Sequence, residues 1–552
     1  MTRRANPKYI FISGGVMSGV GKGIAAASIG KILHWSGLKT TSMKIDPYVN
    51  VDAGTMNPVE HGEVFVLSDG TECDQDMGHY ERFLNQEFSR GNYMTTGSIY
   101  SRVIQKERQL EYNGKCVEVV PHIPLEVIER INAAIKKDKA EVAVVEIGGT
   151  VGEYQNNLFL EAVRILKLEK PKNVISVLVS YLPFQGFGME LKTKPTQYAV
   201  RALNAMGIQP DIILARAVCP LDKSRKRKIA FNCNLKEEDI ISAPDIKTVY
   251  DVPINFEKDQ LSKIILKKLS LKRKTRNNDR KKWLTFVRRV KNATNEVKIG
   301  IVGKYFTTGN FILADSYISV IEAIKHACAY YNLQPKIDWL SSEAYEKNPK
   351  KLLDLKKYNG IIVPGGFGGR GVEGKINVIR FCREHKIPYL GLCYGMQLMI
   401  VEYARSVAKL KKAQTTEIDP KTPYPVIDIL LEQRKNLAAK DYGATMRLGA
   451  YPAVIKKQTL TYYCYKKSLV YERHRHRYEV NPQYIELLEK KGLIFSGFSP
   501  DRKLMEIAEL APSKHPFFIG TQFHPEFTSK PLQPSPLFKE FIKAGMKTRL
   551  KS

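Results

Sequence analysis

The chain has 552 residues, 43% hydrophobic and 26% charged, with 87 Lys and Arg against 56 Asp and Glu for a formal net charge of +31. That length exceeds one ordinary core and implies at least two large domains, while the balanced composition excludes a disordered or fibrous chain. Apolar runs fall short of the ~18 residues a membrane span requires, and the basic N-terminus enters an apolar stretch without a signal-peptide cleavage site, so neither a membrane nor a secretory role is expected.

The first predicted elements are a strand over Tyr9–Ile12, the glycine-rich turn SGGVMSGVGKG from Ser13 to Gly23, and a small-residue helix over Ile24–Leu33. Glycines let the backbone turn its N–H groups inward, and the positive end of the helix points to the same place, which predicts a phosphate-binding loop. Lys22 adds a mobile charge for the outer phosphates of a nucleotide. Two positions depart from G-x-x-x-x-G-K-[ST]: Val16 stands at the first glycine, and Gly23 replaces the hydroxyl residue that touches Mg2+. The metal is therefore expected to be held mainly by carboxylates elsewhere.

Further apolar runs at Thr41–Ile45, Ala140–Ile147, Val174–Ser180 and Asp211–Arg216 alternate with helical patterns. This predicts an α/β fold with a mostly parallel sheet, helices on both faces, and ligands beyond the carboxyl ends of the strands. From Leu266 to Asn295 the composition turns basic, which reads as an inter-domain segment, helical in its second part; an RNA-binding arm is the alternative. The α/β pattern restarts at Val297, with strands at Gly360–Val363, Pro388–Leu392 and Phe517–Gln522. The expected domains are 1–270, a linker over 271–295, and 296–552. Eight cysteines with no C-x-x-C pair argue against disulfides and structural zinc and for a reduced, cytoplasmic setting. No nucleic-acid-binding motif accompanies the positive charge, which reads as solvated faces.

In the second domain, IPYLGLCYGMQL places Cys393 between a short strand and a helix, the cysteine form of a nucleophile elbow, where the helix end favours thiolate. FFIGTQFHPEFTS offers His524 and Glu526 at the end of a strand, where alternation points both to one face. PGGFGGRGVEG, after Gly360–Val363, supplies backbone amides for an oxyanion hole. Pro-Gly-Gly, G-x-C-x-G-M-Q and H-P-E together resemble the class I glutamine amidotransferases. The resemblance implies a Cys393–His524–Glu526 triad that releases ammonia from glutamine through a thioester, with the N–H groups of Gly366 and Tyr394 as oxyanion donors. Tyr394 stands where relatives usually carry Leu, and its bulk is expected to bear on the glutamine pocket.

Four polar islands of the first half, MKIDPYVNVDAGTMNPVEHGEVFV, ECDQDMGHYERF, VEIGGTVGEY and LKTKPTQ, carry residues suited to nucleotides. Asp76 and Glu146, from loops after different strands, are candidate Mg2+ ligands, with Asp74 a third candidate. Lys44, Lys192, Lys194 and Lys228 are candidates to neutralise triphosphates. With GGVMSGVGKG, MRLGA, ERHRHRYEVN and QFHPEFTS, these islands resemble the CTP synthase family in its order over nearly the whole chain. The resemblance implies ATP-dependent amination of UTP to CTP through a 4-phosphorylated UTP, with glutamine as nitrogen donor, Mg2+ as cofactor, GTP as activator and CTP as feedback inhibitor.

By the same resemblance, Ser18, Gly19, Val20, Gly21, Lys22, Gly23 and Ile24 would contact ATP, and Lys44 would stabilise charge during phosphoryl transfer. Ser18, Glu153, Gln155, Lys192, Lys194, Gln197 and Lys228 would hold UTP or CTP at a subunit junction. Gly366, Gln397, Glu417 and Arg477 would hold glutamine, Arg370 and Glu373 would belong to the GTP-sensing loop, and Pro58, His61 and Val64 would line the ammonia path. A homotetramer is implied, with filaments as a further assembly. The family's V-G-D-I-E-S becomes Val151–Asn156 with Gln155 at an acidic position, and Leu110 replaces a glycine in KERQLEYNG. Competing readings are another deviant-loop synthetase of the cobyrinate amidase type, which would lack KTKPTQ and EHGEVFV, and a non-catalytic nucleic-acid-binding or filament scaffold.

Overall fold

The computed structural model describes residues 6–185, 190–274, 279–303, 307–308, 311–312, 314–429 and 446–548. The chain forms two compact α/β units that interleave along the sequence: Met1–Ala53 with Asp76–Val287, and Gly54–Gln75 with Arg288–Ser552.

Among the described residues, the first unit holds a seven-stranded parallel sheet in the order Ile240–Pro244, Ile212–Ala217, Val174–Tyr181, Lys8–Gly15, Val142–Thr150, Thr40–Asp46, Tyr93–Thr95. The inner strands read as unbroken apolar runs because helices cover both faces, and Val142–Gly148 is buried throughout. The phosphate loop follows the central strand, Lys8–Gly15, and leads into the helix Lys22–Trp35, whose Ala25, Ala26, Ala27, Ile29 and Ile32 are buried. Two edge strands, Tyr93–Thr95 and Ile240–Pro244, were not anticipated; one is three residues long and the other ends in Ser-Ala-Pro.

Part of the basic segment forms the helix Asp279–Asn292, while residues 275–278 lie outside the described residues. Its apolar stripe of Trp283, Phe286 and Val287 is buried, and its lysines and arginines face solvent. Trp283 packs against Phe83 and Tyr250 at 5.2 and 5.7 Å between ring centres, and Lys31, ion-paired with Asp279, lies 4.5 Å above its indole. Truncating so enclosed a tryptophan to alanine costs about 3–5 kcal/mol.

The second unit is built on a nine-stranded mixed sheet among the described residues. Its parallel half runs Gln334–Ser341, Glu296–Gly303, Gly360–Val363, Tyr389–Leu392, Phe518–Thr521, and its antiparallel half continues Met505–Glu509, Ile494–Phe498, Arg447–Ile455, Leu469–His476. Residues 54–75 add a hairpin, Val64–Val66 with Glu72–Asp74. Arg475 Nε donates to Glu72 Oε1 at 2.8 Å, Arg473 donates to Val66 O at 3.1 Å, and Phe65 packs edge-on against Phe527 at 5.0 Å. Glu63 accepts from Ser319 N–H at the start of the helix Ile318–Tyr330, where the positive helix end favours a carboxylate.

Candidate active sites

In the first unit the phosphate loop keeps its shape despite both departures. Val16 takes φ 81°, the left-handed backbone a glycine would adopt without strain. Leu110, the other non-glycine at a glycine position, likewise takes φ 58° in the turn after the helix Thr96–Arg108. Gly23 has a steric cause: a Cβ there would lie 1.8 Å from Asp76 Oδ1. The Asp76 carboxylate thus fills the space beside the loop that a serine or threonine side chain would enter.

Asp76 lies in the first turn of the helix Gln75–Leu84, and Glu146 within the strand Val142–Thr150, so neither comes from a loop as expected. Lys44, on the adjacent strand, donates to Asp76 Oδ2 at 2.6 Å and Glu146 Oε1 at 3.0 Å, and Tyr80 donates to the other Glu146 oxygen. Burial, then the charge of Asp76, raises the Glu146 pKa against the pull of Lys44 and Lys22. Two converging hard-oxygen donors whose repulsion a divalent cation would relieve suit Mg2+. Lys22 donates to Gly149 O at 2.6 Å, and burial lowers its pKa, offset in part by Glu146. Asp74 belongs to the second unit, where it faces His61 Nε2 at 3.6 Å.

The residues expected around UTP or CTP follow the carboxyl ends of four neighbouring strands, one edge of the sheet. Ser18 and Gly19 are exposed on the phosphate loop, with Val20, Gly21, Gly23 and Ile24 leading into its helix. Gln155 donates to Glu153 Oε2 at 2.8 Å after Val142–Thr150. Lys192, paired with Glu190, Lys194 and Gln197 follow Val174–Tyr181. Lys228 is exposed on the helix Lys223–Asn232, after Ile212–Ala217.

In the second unit the strand Tyr389–Leu392 ends at Cys393, which takes φ 50°, ψ −100° before the helix Tyr394–Ser406, the strained geometry of a nucleophile elbow. Gly395 permits the turn, because a Cβ there would lie 2.1 Å from Val363 O. Cys393 Sγ lies 3.7 Å from Gln522 Nε2 and 3.8 Å from Arg475 O. His524 Nδ1 is 2.7 Å from Glu526 Oε1. Both follow the strand, which ends at Thr521; a turn closed by Phe527 N–H on His524 O places them on one side, not strand alternation. Burial lowers the His524 pKa, but the charges of Glu526 and Cys393 outweigh it and raise it to about 10.

A cavity of 510 Å³ within the second unit is lined by Cys393, His524, Glu526, Gly366, Arg475 and Arg477 and reaches Pro58, Glu63 and Val64. His61 does not line it. Gln397 is buried, its backbone N–H donating to Cys393 O and its side chain to Tyr478 O at 2.9 Å, and Glu417 accepts from Gly368 N–H at 2.6 Å. Tyr394 does not line the cavity either: its ring is buried and its hydroxyl donates to Gly368 O at 3.0 Å, tying the Pro364–Gly371 loop. Arg370 pairs with Glu343, and Glu373 accepts from Arg405 at 2.9 Å. The sequence reading missed Arg475, Gln522 and the hairpin; the alternating cations of RHRHR were the available signal for Arg475.

Two family models divide the chain: CTP synthase N-terminus matches residues 8–271, and glutamine amidotransferase class-I matches residues 312–544. A CTP synthase of Pyrococcus furiosus is 52% identical over 540 residues, covering 98% of each chain. One from Methanocaldococcus jannaschii is 49% identical over 550 residues, 99% of each. The solved glutaminase domain of a Trypanosoma brucei CTPS with bound acivicin is 36% identical at a TM-score of 0.42, covering 46% of this chain and 94% of that one.

Proposed function

The chain belongs to the CTP synthase family, and from that premise we propose how its residues divide the work. Its activity is the family's: ATP-dependent amination of UTP with nitrogen taken from glutamine. The competing synthetase and scaffold readings are set aside by matches that extend over both halves.

Glutamine chemistry is assigned to 296–552. Cys393 attacks the substrate amide carbon, His524 passes the proton to the departing ammonia, and Glu526 keeps the imidazole oriented and charged. The N–H groups of Gly366 and Tyr394 receive the oxygen as it becomes negative. Gln397, Glu417 and Arg477 grip the glutamine, and water then releases glutamate from the thioester. Ammonia leaves past Pro58, His61 and Val64. Supporting this reading is the single observation that the cavity containing Cys393 and His524 continues to Pro58 and Val64.

Synthetase chemistry is assigned to the expected domain 1–270 without residues 54–75, which fold into the second unit; of the basic segment 271–295, the part up to Val287 packs into the first unit and only the remainder is left as connection. Residues 18–24 cradle the ATP phosphates, and Lys22 and Lys44 neutralise charge as the γ-phosphoryl passes to O4 of UTP. Ammonia then attacks C4 and phosphate departs. Asp76 and Glu146 would hold Mg2+, which supplies electrostatic stabilisation of the transferring phosphoryl group. Ser18, Glu153, Gln155, Lys192, Lys194, Gln197 and Lys228 bind substrate UTP and inhibitory CTP in a homotetramer, Arg370 and Glu373 respond to GTP, and the enzyme works in the cytoplasm. In support, all eight cysteines are free thiols, and among the described residues no helix is long and apolar enough to cross a membrane.

The test is CTP formation from UTP and ATP with either glutamine or ammonium. Cys393→Ala should abolish the first and spare the second, and equal loss of both would overturn the division of labour.

A further inference from the structure

One lysine sits where no solvated lysine belongs. Lys375, on the helix Val372–Glu384, is 1% exposed. Its Nζ lies 5.1 Å from the centre of the Tyr394 ring and 3.9 Å from the point where a side chain on Gly366 would begin. Tyr394 is itself 1% exposed and holds Gly368 O, while Gly368 N–H is held by Glu417. The two backbone groups expected to receive the oxyanion belong to Gly366, beside this ammonium, and to Tyr394, whose ring forms its seat.

An ammonium this close to the loop sits inside a low-dielectric site, where charge acts more strongly than in water. We propose that Lys375 and Tyr394 are positioning residues for glutamine hydrolysis: the ammonium, seated on the tyrosine ring, fixes the Gly366–Gly368 backbone and biases it toward the charged tetrahedral intermediate. The inference rests on reading Cys393 as the nucleophile and Gly366 and Tyr394 as oxyanion donors. Because the substrate oxygen is neutral on binding and negative only in the intermediate, the contribution falls on kcat and not on KM.

The test uses the full chain with Lys375→Met, Lys375→Arg, Tyr394→Phe and Tyr394→Leu, measuring kcat and KM for glutamine hydrolysis in the presence of ATP and UTP. Ammonia-driven CTP formation, which bypasses the thioester, reports an intact fold. Lys375→Met should lower kcat about tenfold with KM within about twofold, and Lys375→Arg should restore most of it. Tyr394→Leu should resemble Lys375→Met, with Tyr394→Phe, which keeps the seat and loses the tie to Gly368, in between. A wild-type kcat in Lys375→Met, or a loss that arginine does not rescue, overturns the proposal. If Lys375→Met fails the fold check, a wild-type kcat in Tyr394→Leu overturns it instead. Hydrolysis surviving in Cys393→Ala would mean that the underlying reading of the site had failed.

Discussion

Gly23→Ala sets two effects of opposite sign against each other. Gly23 lies in the first turn of a helix with an ordinary backbone, where alanine is normally favoured by about 0.5–1 kcal/mol. Its new methyl, however, would sit 1.8 Å from Asp76 Oδ1 and 2.3 Å from Asp76 Cγ. The carboxylate must retreat by about 1.2 Å to reach even 3.0 Å, the closest approach real Cβ atoms make. That movement strains or breaks its 2.6 Å bond to Lys44. A hydrogen bond between charged groups contributes about 1.5–3 kcal/mol, so the clash outweighs the helix gain. At 1.36 kcal/mol per tenfold in rate, ammonia-driven CTP formation should fall roughly 10- to 150-fold. The assay is initial velocity with ammonium as nitrogen source at saturating UTP and ATP, alongside the thermal midpoint. A variant that is more stable and retains activity within about twofold would refute the claim that Asp76 occupies the loop's missing hydroxyl position.

Three further outcomes are expected. Because the folded His524 pKa is raised to about 10 from 6.5, its stabilising share is complete below about pH 6.5 and lost as pH rises through about 10. Glu526→Gln should move the alkaline limb of glutamine hydrolysis at least about one unit lower in a pH–rate profile, and coincident limbs would contradict this. Val16→Gly and Leu110→Gly should each raise stability by about 0.5–1 kcal/mol, since the left-handed backbone costs a side chain more than glycine's added chain entropy; a lowered denaturation midpoint would count against that strain. Gln155→Glu should tighten CTP inhibition less than a free carboxylate would, because it loses the 2.8 Å bond to Glu153 and sets two carboxylates together. Inhibition curves at fixed UTP, with and without Glu153→Gln, separate the two contributions, and no gain in the double variant would remove residue 155 from the CTP site.

Apart from the edge strands Tyr93–Thr95, Ile240–Pro244 and Gln334–Ser341, the parallel strands of both sheets were legible because buried parallel strands are unbroken apolar runs: Gly360–Val363 was read to the residue, and Val174–Ser180 to within one. The antiparallel half of the second sheet was not. Leu469–His476 carries Glu472, Arg473, His474 and His476 as buried residues, and Glu506 and Glu509 on Met505–Glu509 are fully buried. Arg447 bridges Glu479 and Glu506 at 3.1 and 2.8 Å, and such mutually satisfied charges read as surface in a sequence. Cys393, His524 and Glu526 stand out in the sequence as candidates because each lies in a turn with a strict local pattern, and the structure brings Cys393, His524 and Glu526 to one cavity. Lys375 had a weak signal, a lysine spaced with Val372, Ile376 and Ile379 on one helix face. Residues 54–75 show their polar motifs but not their place in the second unit, since nothing in a hairpin reveals that its partners lie some four hundred residues away.

That separation matters for how the chain is made. Glu72 precedes its partner Arg475 by 403 residues. At roughly 5–20 residues per second of synthesis, the hairpin leaves the ribosome about 20–80 s before Arg475 has been joined to the chain. The strands on either side of it, Thr40–Asp46 and Tyr93–Thr95, which pair with each other in the folded sheet, are both synthesised long before then. The nascent protein must therefore assemble its first sheet with residues 54–75 held out as an unfinished loop, Phe65 exposed, until the last tenth of the chain supplies Phe527 to cover it.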